Sequence, residues 1–327
     1  MARKFRLCVP YAIHHITSKI IDNRVLFYDL IDKEKFLHYF NNFLIETGFE
    51  LLGIAFYPTH YHMALRINNR PLEDLLRGFH SAYARFYNKR HGHNGYFFQG
   101  RPKSEVVQDG LEAQNLIAYL HTGPVRAGLC KTIEELDRFE DSTHSAVMGN
   151  CKFSNLNVDQ LLKLFSNSSI ADPNIFYRKA IVQMIEKCES YQDFLESVKA
   201  SNQDKQNMFK PGYWVIGDQK FVNDAFELDK QRRIQMAAYK RYGYDHHWLA
   251  EFVCSRVSVP VEELKRRGRM NSISDARKLY CYFAVRVLEM STLSTAVKLN
   301  VSRTAVARLA RQGKTTAQKL EIELPLP

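Results

Sequence analysis

Two hydrophobic periods alternate along residues 11–120, and this alternation constrains the fold more than any other feature of the sequence. Residues 11–18 are rich in β-branched and aromatic side chains. Residues 33–47 carry Phe36, Leu37, Phe40, Phe43 and Leu44 at helical spacing, and residues 51–56 read as a strand again. After Pro58, residues 61–67 repeat the strand pattern. Residues 72–89 then place Leu72, Leu75, Leu76, Phe79, Tyr83 and Phe86 on one helical face. Residues 103–107 give a fourth short strand, and Asp109 followed by Glu112 has the spacing of a capping box that opens a helix over 109–120. The order βαββαβα predicts an α+β fold, one antiparallel sheet with its helices packed on one face.

That order is related to the split ferredoxin-like or RRM-like arrangement, and it accounts for residues 1–150. A chain of 327 residues is expected to form two or three domains. A second block, 151–231, holds amphipathic helical patterns such as 177–189 and a Trp214-Val215-Ile216-Gly217 turn, a connecting region without recognisable chemistry. The third block, 232–327, is basic and all-helical. Within it, residues 292–299 and 302–311 read as short helices separated by Asn300 and Val301, a helix-turn-helix pattern.

The net charge of +11 is unevenly spread: residues 230–320 hold 19 Lys and Arg against 6 Asp and Glu, and the remainder 27 against 29. A neutral front and a basic back point to a polyanion held through phosphate contacts and counterion release. The six cysteines include no close pair of the kind that builds a zinc or redox site, so they are read as reduced and structural. The first ten residues lack an apolar signal core, and no stretch reaches the roughly 18 apolar residues of a membrane span; a cytoplasmic protein is expected, with no membrane partner.

Inside the third strand pattern, His60 and His62 are two residues apart, so both imidazoles face one side of the sheet while Tyr61 and Met63 face the other. Two neutral imidazoles so placed can share one divalent metal ion. Further on come Phe97-Phe98-Gln99-Gly100-Arg101 and Ala118-Tyr119-Leu120-His121-Thr122-Gly123-Pro124-Val125-Arg126-Ala127-Gly128-Leu129. With the His-Tyr-His run, these stretches resemble the signature of the single-tyrosine HUH transposases, including the REP-associated tyrosine transposases, over residues 1–150. The resemblance implies Tyr119 as nucleophile, Mg²⁺ or Mn²⁺ held by His60 and His62, and a 5′-phosphotyrosine intermediate. On a helical wheel, Ala113, Leu116, Ile117 and Leu120 share one side, with Glu112, Asn115 and Tyr119 roughly 100° away, so Tyr119 is expected off the buried stripe.

Two positions depart from the family pattern. Gly123 stands where a side-chain amide commonly completes the metal site, and Thr59 stands where asparagine usually precedes the first histidine. Either water, Asn115 or Glu112 fills the gap, or the enzyme is weakened into a DNA-binding regulator. The expected substrate is single-stranded or hairpin DNA, because a tyrosine attacking a duplex phosphate meets a crowded backbone. Tyr96, Phe98, Arg101 and Arg126 are candidate contacts, the aromatics forming either a stacking platform or a strand edge.

His91 and His93, near Gly92 and Gly95, are read as loop residues. Residues 248–314 resemble the DNA-binding domain of the bacterial replication initiator DnaA, through Val261-Glu262-Glu263-Leu264, the basic run Lys265-Arg266-Arg267, Asp275-Ala276-Arg277 and the paired helices. This implies duplex DNA contacts from Lys265, Arg266, Arg267, Arg303, Arg308 and Arg311. A homodimer is compatible with the sequence.

Overall fold

The computed structural model describes residues 6–21, 24–166, 172–187, 209–210, 213–265 and 271–326. It divides into two compact units, one of Met1–Leu44, Gly48–Asn68 and Leu75–Phe226, the other of Ile45–Thr47, Asn69–Asp74 and Glu227–Pro327. The fold is mixed α+β. No helix among the described residues is long and apolar enough to cross a membrane.

In the first unit, β1 (Ile13–Lys19), β2 (Glu50–Tyr57), β3 (His60–Arg66) and β4 (Lys103–Val107) pair antiparallel in the order β2-β3-β1-β4. Helix α1 (Leu30–Thr47) runs between β1 and β2, and α2 (Glu73–His91) between β3 and β4. The sheet is not purely antiparallel as expected. Short strands β5 (Phe209–Lys210) and β6 (Tyr213–Ile216) extend it, β6 lying parallel to β4. The block read as a connector thus supplies a strand that pairs the outer edge of β4, a position that would otherwise expose unpaired backbone groups.

Nor do the helices lie on one face. Helices α1 and α2 cover the face of Tyr61, whose ring packs against Phe36 and Phe79 and whose hydroxyl meets His80 Nε2 at 2.5 Å. Helix α3 (Leu111–Arg126) covers the opposite face, packing against β2. The reason is legible in β2: every residue from Leu51 to Tyr57 is buried, so the strand needs cover on both sides. Gly53 permits the approach, since a Cβ there would sit 3.2 Å from His121 Nε2. On the far flank of α3 packs α7 (Pro173–Lys187), reached through the short helices α4 (Ile133–Asp137), α5 (Thr143–Val147) and α6 (Val158–Lys163).

Helix α3 is longer than its sequence pattern suggests, continuing through Pro124, and its cap differs too. Gly110 is the N-cap and makes no side-chain hydrogen bond, while Asp109 pairs bidentately with Arg66.

In the second unit, α8 (Gln219–Arg241), which begins in the first, is followed by α9 (His246–Arg256), a 3₁₀ turn (Val261–Lys265), α10 (Asn271–Tyr282), a π turn (Phe283–Val287), α11 (Thr292–Leu299) and α12 (Arg303–Lys319). Leu249, Val253, Leu279, Leu299, Val306 and Ala310 lie in its core. Asn300 ends α11 in the left-handed region at φ 52°, and Ser302 caps α12 by accepting from Ala305 N–H.

Candidate active site

The site is built on the β2–β3 hairpin, whose two-residue turn, Pro58 and Thr59, sets Tyr57 opposite His60. Register then fixes a row across three strands. Lys19, His60 and Tyr57 are neighbours, and one step along so are Thr17, His62 and Ala55. The cross-strand neighbours of His62, Thr17 and Ala55, are both small. The Tyr57 ring stacks on His60 at 4.4 Å and 4° between planes, and the two imidazoles stand 5.2 Å apart.

Behind His62 runs a hydrogen-bonded chain that the sequence motif did not reveal. His15 Nε2 meets His62 Nδ1 at 3.0 Å, and His15 Nδ1 meets a carboxylate oxygen of Glu105 at 2.8 Å. Thr17 Oγ1 also reaches His62 Nδ1, at 3.1 Å. His60 is approached on the same nitrogen by Thr59 Oγ1, at 3.3 Å. The Nε2 atoms of His60 and His62 take no hydrogen bond among the described residues. Burial lowers both pKa values, assisted at His60 by Lys19 and at His62 by His15, His60, Arg126 and Lys19; His62 falls well below the ordinary histidine value. Both rings are therefore neutral at pH 7, with lone pairs to offer.

Opposite them, α3 carries Tyr119 and Arg126. Tyr119 is 9% exposed, not off the buried stripe as expected. Residues from Ala118 to Pro124 are all buried because sheet and α7 enclose α3 from two sides. The Arg126 guanidinium lies 4.0 Å from the Tyr119 ring centroid, donates to the Tyr119 carbonyl and donates to Thr122 Oγ1 at 2.7 Å.

Gly123 has a local cause: a Cβ there would fall 1.9 Å from the Tyr57 hydroxyl oxygen. The phenol of Tyr57 fills the space of a side chain at 123. Its pKa is raised, by burial first, while the charge of Arg126 opposes and the phenol of Tyr119 adds to the shift. Tyr57, Tyr119, Arg126 and the two histidines thus form one electrostatic neighbourhood.

The donor set fits a divalent ion in part. Two neutral imidazoles with ring centroids 5.2 Å apart have Nε2 atoms that take no hydrogen bond among the described residues, yet among those residues no group of three or more His, Cys, Asp or Glu is arranged to hold a metal. Lys19 and Arg126 make the surroundings favourable to a phosphate, which can share the remaining ligand positions with water.

Of the other expected contacts, Tyr96 is 86% exposed and Arg101 lies at the surface, but Phe98 is 8% exposed and stacks on His80 at 3.7 Å. Its face is taken by the imidazole, so it offers no platform to a base. His91 ends α2 rather than sitting in a loop, its Nε2 2.9 Å from Asp32. In the second unit Lys265, Arg303, Arg308 and Arg311 are exposed; Arg266 and Arg267 lie outside the described residues. His15, Thr17, Glu105 and Tyr57 were missed. The available signal was the two-residue period of β1, which puts His15 and Thr17 on one face.

No protein-family model matches this sequence, and no curated protein does. A solved structure, "Structure of the REP associates tyrosine transposase bound to a REP hairpin", matches with a TM-score of 0.38 and 14% identity, over 48% of this chain and 98% of that chain.

Proposed function

We propose that the first unit cuts and rejoins single-stranded DNA as a single-tyrosine HUH transposase, with Tyr119 as nucleophile. The observation that carries this reading is the pair of neutral imidazoles with unengaged Nε2 atoms in the same neighbourhood as Arg126 and two phenols. The strand order β2-β3-β1-β4 supports reading its core as ferredoxin-like. His60 and His62 would hold Mg²⁺ or Mn²⁺, whose charge neutralises the scissile phosphate and eases attack on it.

The Tyr119 phenol loses its proton and its oxygen bonds to phosphorus; the P–O3′ bond breaks, and the departing 3′ oxygen takes up a proton. Attack by that 3′-hydroxyl reverses the sequence and reseals or transfers the strand, with the bond energy conserved in the phosphotyrosine. Arg126 pairs with a non-bridging phosphate oxygen, and Lys19 adds positive potential at the rim. Tyr96 and Arg101 extend the single-strand contact by stacking and charge.

The second unit would grip duplex DNA as a helix-turn-helix. In support, α12 follows α11 across a three-residue link, Asn300 to Ser302, and exposes Arg303, Arg308 and Arg311. A second reading, a DNA-binding regulator without cleavage, is favoured by the burial of Tyr119 and by Gly123.

Incubation of hairpin-bearing oligonucleotides with the protein and Mg²⁺ or Mn²⁺ should yield a covalent adduct on a denaturing gel, absent from Tyr119→Phe. An adduct in that variant refutes the nucleophile assignment. Salt-dependent binding with no wild-type adduct under either ion would establish the regulator reading.

A further inference from the structure

Donor and acceptor polarity along the chain behind His62 has a direction. Glu105 lies directly opposite His15 in the β1–β4 register, and as a carboxylate it can only accept a hydrogen bond. His15 therefore carries its proton on Nδ1. With His15 in the singly protonated form, its lone pair is on Nε2, and at the 3.0 Å contact the donor is then His62 Nδ1–H. Thr17 Oγ1, at 3.1 Å from the same nitrogen, accommodates this because a hydroxyl accepts as readily as it donates. The proton on Nδ1 leaves the His62 lone pair on Nε2, the atom that takes no hydrogen bond among the described residues.

We propose that Glu105 and His15 are positioning residues that lock His62 into its Nδ1–H tautomer and so keep Nε2 as a permanent ligand atom for a divalent cation. The geometry suits the task. His15 is 2% exposed, its ring stacks within 5.2 Å and 17° of His62, and both partners sit on strands of one sheet, so the chain has little freedom to rearrange. Without the chain an isolated imidazole favours the opposite tautomer or a mixture, and every binding event would first have to move a proton. Hydrogen bonds of this indirect kind are worth roughly 10–100-fold in metal affinity.

The inference rests on the proposed role of His62, and its test is independent of cleavage. In long-range ¹H–¹⁵N spectra of the metal-free protein, with His62 assigned by its loss in His62→Gln, the ring should show a single Nδ1-protonated form. Glu105→Gln, whose amide can donate or accept, should shift His62 toward the Nε2–H form, and Mn²⁺ affinity should fall about tenfold or more. His15→Gln supplies a second variant if Glu105→Gln folds poorly. An Nε2-protonated His62 in the wild type, as a doubly protonated His15 would impose, overturns the proposal. So does an Nδ1–H form untouched by either substitution. Absence of a DNA adduct would count against the nuclease reading alone and leave the tautomer result standing.

Discussion

Two histidine chains run through the first unit, and their ends differ. One passes from Glu105 through His15 to His62 and stops at a ring nitrogen that takes no hydrogen bond among the described residues. The other passes from Asp137 to His144, then to the Tyr177 hydroxyl, to His121 and to Thr143. It closes on the backbone of β2: Thr143 Oγ1 donates to the Ile54 carbonyl at 3.1 Å and accepts from the Ile54 N–H at 2.9 Å. Both contain neutral histidines held below their ordinary pKa by burial. Burial and perturbed titration therefore do not separate a binding group from a structural one. What separates them is whether the last polar atom has a partner within the protein.

The comparison breaks most visibly at Tyr177. Tyr177→Phe removes the partner of both His121 Nδ1 and His144 Nδ1 and should cost about 3 kcal/mol of stability in urea denaturation. Mn²⁺ affinity of the folded fraction should not change; a coupled loss would show that the two chains are one system.

On the open side, Gly123→Ala places a carbon on the Tyr57 hydroxyl and should cost about 2 kcal/mol. Adding Tyr57→Phe should recover part of that loss, which a double-mutant cycle would resolve.

A third effect is in pH, and it is spread over several groups. His62, His80, His121 and His144 all have lowered folded pKa values, His80 at about 3, so the unfolded chain binds protons first as pH falls. Their contribution is fully present above the ordinary value of 6.5 and is lost as pH falls toward the folded values, by at most about 1.4 kcal/mol per pH unit and histidine. Denaturation midpoints at pH 7 and pH 5 should show this, with saturating Mn²⁺ at each pH offsetting only the share due to the open chain.

The contrast also explains what could be read in advance. Strands with two-residue periods, such as His60–Arg66, and the aromatic faces of α1 and α2 follow from local spacing and were legible. His15 and Glu105 were not, because their partnership depends on strand register across ninety residues. The burial of Tyr119 and Phe98 was equally hidden: one depends on α7 covering α3, the other on His80 turning its face to Phe98. Helical-wheel reasoning assumed one buried stripe, and α3 has two.

The phenol of Tyr57 lodged over Gly123 makes the two positions a single unit of inheritance. A descendant that gains a side chain on the helix has to lose the ring on the hairpin, and the reverse holds as well. Across any set of homologous chains, a bulky aromatic before the turn should travel with glycine on the helix, and a smaller residue there with a longer one.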